Sequence, residues 1–87
     1  MIEWDKVLSW QAEMTDAIDR EEIELRAYQS IEQMLLAQRK HAVETACYKD
    51  LDRIDTYLAE VNARLKLKML LVHHLKFQFH QTIDSLL

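Results

Sequence analysis

The sequence predicts an all-α chain, an antiparallel hairpin of two long helices that assembles into a bundle. Three observations carry that prediction. None of the 87 residues is glycine or proline, where average usage would place about ten. Glycine supplies positive φ at turns and helix ends, and proline breaks helices and sheet ladders, so a chain with neither has few turns. Apolar residues also recur on alternating three- and four-residue steps in both halves, the spacing of a helix face. Between the halves lies a polar, locally ambiguous stretch over residues 38–50.

The first helix is predicted over about residues 3–42. Trp4, Val7, Met14, Ile18, Leu25, Tyr28 and Leu35 form its stripe, interrupted at Gln11, Glu21 and Glu32. Leu8, Ala17, Ile31 and Met34 widen that stripe, as on a packed helix rather than a strict zipper. Asp19 and Glu22 have capping-box spacing, which offers a break near 15–19 and a third, short helix. The stripe runs through Met14, Ile18 and Leu25 without a change of phase, so one continuous helix is the better reading.

The connection is placed within residues 43–49. Arg39, Lys40 and His41 suit a helix C-terminus, where cations meet the negative end of the dipole. Thr45 or Asp50 could cap the helix that follows. The second helix is predicted over about residues 50–86. Leu51, Ile54, Leu58, Val61, Leu65, Val72, Leu75, Phe79 and Leu86 keep heptad spacing, with Lys68 and Thr82 as the gaps. A seam sustained this long argues for helix-on-helix packing. Arms of about 40 residues make a rod of roughly 60 Å at 1.5 Å per residue.

Charge and composition bound the function. The net charge is −4, with nine acids and three bases in residues 1–36 against six acids and eight bases in residues 37–87. Antiparallel packing sets these opposite fields side by side. An acidic chain argues against nucleic-acid binding. No segment has the length and apolarity of a membrane span, and Met1-Ile2-Glu3-Trp4-Asp5 lacks the basic start of a signal peptide. Cys47 is the single cysteine and cannot form an internal disulfide. The expected location is the cytosol.

No residue pattern points to catalysis or to a cofactor. His73 and His74 are adjacent, His80 lies two turns from His73, and no histidine pair has the i,i+4 spacing a helix-borne metal site needs. Cys47 and His41 would need a pocket that a hairpin lacks. The acid clusters at 19–24 and 50–55 read as solvated faces. Small helical enzymes gather arginines around an anion, but Arg20, Arg26, Arg39, Arg53 and Arg64 share no motif. The chain is therefore read as not an enzyme, with no metal and no cofactor. Arg64, Lys66, Lys68 and Lys76 read as snorkelling side chains or as partners of the acidic first half.

The last third of the chain carries the functional expectation. Leu67, Leu70, Leu71 and Phe77 lie off the heptad seam, and one partner helix cannot cover them. With Phe79 on the seam and Trp10 on the first helix, they are the predicted partner-binding residues. Met14, Met34 and Met69 would lend such a groove adaptability. The expected partner is a protein, through an amphipathic helix, and the chain is expected to form a homo-oligomer.

A family resemblance points the same way. Met34-Leu35-Leu36-Ala37-Gln38-Arg39-Lys40-His41-Ala42, then Lys49-Asp50-Leu51-Asp52-Arg53-Ile54, then Leu58, Val61 and Leu65, resemble the small helical export chaperones of flagellar and other type III secretion systems. The likeness covers about residues 30–64. It implies a non-enzymatic cytosolic chaperone that shields an aggregation-prone helix of an export substrate. The competing expectation is a structural homodimer, a four-helix bundle that buries the same surface in its own twofold interface.

Overall fold

The computed structural model describes residues 2–86. The chain is a helical hairpin: α1 spans Trp4–Glu44, α2 spans Tyr48–Leu86, and the two pack along their length. The molecule is a rod of 68 × 15 × 14 Å. α1 passes through residues 15–19 without a break, so the capping-box spacing at Asp19 and Glu22 does not start a new helix. A continuous apolar stripe outweighs a local cap signal because tertiary packing supplies most helix stability.

The turn solves a problem the composition creates. Ala46 adopts φ 55°, a left-handed conformation normally given to glycine. Around it, the Cys47 N–H donates to the Ala42 carbonyl at 2.9 Å and the Ala46 N–H to the Val43 carbonyl at 3.2 Å. These two bonds are the Schellman pattern, which satisfies carbonyls left open at a helix end. Thr45 closes α1 rather than opening α2: its Oγ1 donates to the His41 carbonyl at 2.9 Å. Asp50 lies within the first turn of α2, where its negative charge meets the positive end of the helix dipole. The Cys47 carbonyl accepts from the N–H groups of Asp50 and Leu51, both at 3.2 Å.

The core is concentrated near the turn. Leu35 and Ala42 from α1 pack with Ile54, Leu58, Val61 and Leu65 from α2, with Leu25, Tyr28 and Leu51 half-buried at the edge. Beyond Leu65 toward the open end, Val72 is the one buried side chain among the described residues. Leu75, Phe79, Ile83 and Leu86 continue the seam half-buried. Ile83, not Thr82, holds the seam there. A straight helix drifts about 20° per heptad against a 3.5-residue repeat, so the inward position moves along by one residue.

Two aromatic assignments are corrected. Trp4 is 61% exposed and lies off the seam. Trp10 takes the inward place, half-buried, its ring stacked on Phe79 at 5.6 Å between centroids and 13° between planes. Val7, Trp10 and Met14 also follow a three-then-four step. The spacing allows both rows, and the Phe79 partner selects this one.

The breaks in the two stripes complement each other. Glu21 interrupts α1 and Lys68 interrupts α2, and Lys68 Nζ donates to Glu21 Oε2 at 2.5 Å across the interface. Lys68 also pairs with Glu24, and Lys76 reaches Glu22 at 2.5 Å. Nearer the turn, Arg39 Nε donates to Asp55 Oδ1 at 2.7 Å. A charged pair inside an apolar seam penalises any sliding of one helix along the other, since a slip leaves each charge against an apolar neighbour.

Candidate docking surface

The outside of α2 is apolar where it faces away from α1. Leu67 and Leu70 are each 67% exposed, Phe77 is 58% and Leu71 is 39%. The helix rises here from a seam that buries Leu65 and Val72, so residues half a turn away must face solvent. Among the predicted partner-binding residues, these four share that outer side. Trp10 and Phe79 instead lie between the helices, stacked on each other.

The outer residues belong to a longer row. Ala63, Leu67, Leu70, His74, Phe77 and Gln81 follow steps of four, three, four, three and four. This is a second heptad seam, on the opposite side of α2 from the first. It contains no Asp, Glu, Lys or Arg, and continuing the same steps meets Glu60 at one end and Asp84 at the other. Ala63, His74 and Gln81 were not among the predicted residues. Their regular spacing was the available signal, muted because alanine, histidine and glutamine do not read as strongly apolar.

The row opens onto a shallow groove between the helices. Leu67 and Leu71 line it with Tyr28, Glu24, Arg64 and Lys68, enclosing about 400 Å³. Toward the turn, Tyr28 and Arg64 join it to a second hollow of about 390 Å³ lined by Ile31, Tyr57 and Val61. Side chains on both helices thus form one continuous, partly apolar flank. Arg64 is held in place from its own helix by Glu60, at 3.1 Å.

Electrostatics between the helices, some of them at the floor of this groove, serve to hold the hairpin. Glu21 and then Glu24 raise the Lys68 ammonium above its ordinary value by hydrogen bonds to the charged form. The hydrogen bond from Lys76 holds the Glu22 carboxyl below its ordinary range. These charges are engaged within the chain.

The arginines do not converge. Arg26, Arg39, Arg53 and Arg64 each face a separate carboxylate, on Glu22, Asp55, Asp50 and Glu60. Cys47 is exposed, and its Sγ donates to Asp50 Oδ2 at 3.1 Å. That hydrogen bond and the carboxylate charge push the thiol up from its ordinary value, which disfavours the nucleophilic thiolate. The hollow at the turn contains both Cys47 and His41, lined also by Ala42, Asp50, Arg53 and Ile54. Among the described residues, no group of three or more His, Cys, Asp and Glu side chains is placed to hold a metal. Among the described residues, no helix is long and apolar enough to cross a membrane.

No family model, no curated protein and no solved structure matches the chain.

Proposed function

We propose that this chain is a non-enzymatic helical module that binds protein, with the outer side of α2 as its docking face. The observation that carries the reading is the exposure of Leu67, Leu70, Leu71 and Phe77 together on one side of one helix. Such a face, flanked by a groove, accepts an amphipathic helix through anchors at i, i+3, i+4 and i+7. Arg64 and Lys66 flank the row, so a client helix with acidic edges fits it best. The role is that of a cytosolic chaperone or adaptor that shields an aggregation-prone helix. The resemblance to secretion export chaperones over residues 30–64 supports that role.

The test uses a fluorescent synthetic helix with leucines in heptad spacing and glutamates on its edges, titrated into the full chain and read by anisotropy. Saturable binding is expected, lost in Phe77→Glu and Leu71→Glu while circular dichroism shows both variants still helical. Equal binding by the wild type and both variants would remove the face from consideration.

A further inference from the structure

We infer that the resting occupant of the α2 face is a second copy of this chain, paired antiparallel with it about a twofold axis level with Val72. The inference rests on the docking reading and names what covers the face when no client is bound.

The first support is area. The hairpin exposes 6932 Å², whereas a compact protein of 10.4 kDa exposes roughly 5,400 Å². The excess is roughly 1,500 Å² per chain, above the roughly 800 Å² that each partner contributes to a standard stable interface. No side chain is fully buried in the described residues. A rod this thin gains from a partner along its length, and α1 leaves the outer side of α2 clear.

The second support is that the row sets unlike side chains together in one direction only. Run antiparallel about Val72, Ala63 lies opposite Gln81 of the second copy, Leu67 opposite Phe77, and Leu70 opposite His74. Side chains of unequal size meet at each level, as interdigitated layers require. Leu71 meets its own counterpart at the axis. The flanks follow the same sense: Arg64 falls against Gln78, and Lys66 against His80. In-register parallel pairing would instead oppose each row residue to its own copy, Phe77 to Phe77, His74 to His74 and Ala63 to Ala63. Large then meets large and small meets small, which leaves the layers uneven. Glu60 and Asp84 bound the uncharged row and fall opposite each other between the copies, which limits the contact to about 27 Å of helix at 1.5 Å per residue.

Cysteine cross-linking in a Cys47→Ser background tests both the occupant and its direction. Ala63→Cys and Gln81→Cys sit at the exposed ends of the row, where substitution disturbs the packing least. Under mild oxidation, a mixture of the two variants should give about tenfold more disulfide dimer than either alone, because only antiparallel pairing brings their Cβ atoms within bonding range. Leu71→Cys alone should cross-link to itself. Efficient self-cross-linking of Ala63→Cys would establish a parallel pair and overturn the inference. A chain that is monomeric at micromolar concentration by light scattering would also overturn it. If that monomer still captures the synthetic helix, the docking reading survives without the self-pairing. If it captures nothing, both fall together.

Discussion

The two ends of the hairpin are held by different physics. Near the turn, Leu35, Ala42, Ile54, Leu58, Val61 and Leu65 make a sealed apolar core. Toward the open end, Val72 is the one buried residue among those described, and the helices are joined by the Glu21, Glu22 and Glu24 pairs to Lys68 and Lys76 and by the Trp10–Phe79 stack. The apolar residues of α2 in that second region divide between two sides. Val72, Leu75 and Phe79 turn inward, while Leu67, Leu70, Leu71 and Phe77 turn out. The sealed end maintains the fold. The ion-paired end keeps its register with charge and leaves apolar surface exposed.

Cutting into the sealed end should have the largest effect. Ile54→Ala is expected to cost about 2–4 kcal/mol, read by chemical denaturation at fixed protein concentration. Leu75→Ala, half-buried at the open end, should cost about half as much, since less apolar area is lost. Equal costs would erase the distinction between the two ends.

Next comes Lys68→Ala. It leaves Glu21 largely covered and without its partner, so the thermal midpoint should fall by several degrees. Removing both charges with Glu21→Leu and Lys68→Leu should recover or exceed the wild-type midpoint, because a covered ion pair repays its desolvation poorly. Arg26→Ala breaks an exposed contact of 3.9 Å to Glu22 and should change little. Ala46→Gly should act in the other direction. It relieves a left-handed alanine and is expected to add about 0.5–1 kcal/mol, net of the extra freedom glycine gives the unfolded chain.

The smallest effect is the acid limb. Glu22 titrates below its ordinary 4.5 in the folded hairpin, so the unfolded chain binds the proton more tightly. The stability it contributes is present above pH 4.5 and is lost as pH falls from there through the folded value. Glu22→Gln and Lys76→Met should each flatten this limb, measured as denaturation midpoints between pH 6 and pH 3.

Much of this architecture was legible in the residues. The α2 seam from Leu51 through Phe79 runs as its spacing predicts, because one face of α2 meets one partner along its length. The exposure of Leu67, Leu70, Leu71 and Phe77 also followed from spacing alone. What could not be read was pairing across the hairpin. Glu21 and Lys68 appeared as separate flaws in two stripes, and only the antiparallel register makes them partners. The inward place of Trp10 was hidden for the same reason, since the row Val7, Trp10, Met14 competes with another of equal regularity until Phe79 is set beside it. The turn was hidden by chemistry: Ala46 takes the place of the glycine that ordinarily marks such a bend.

Light scattering on the wild-type chain at micromolar concentration tests the central claim most directly. If the outer side of α2 seeks a helix, the solution mass should be twice the 10.4 kDa of one chain, and Leu70→Glu should return it to one. A wild-type mass of 10.4 kDa, unchanged in Leu70→Glu, would contradict it.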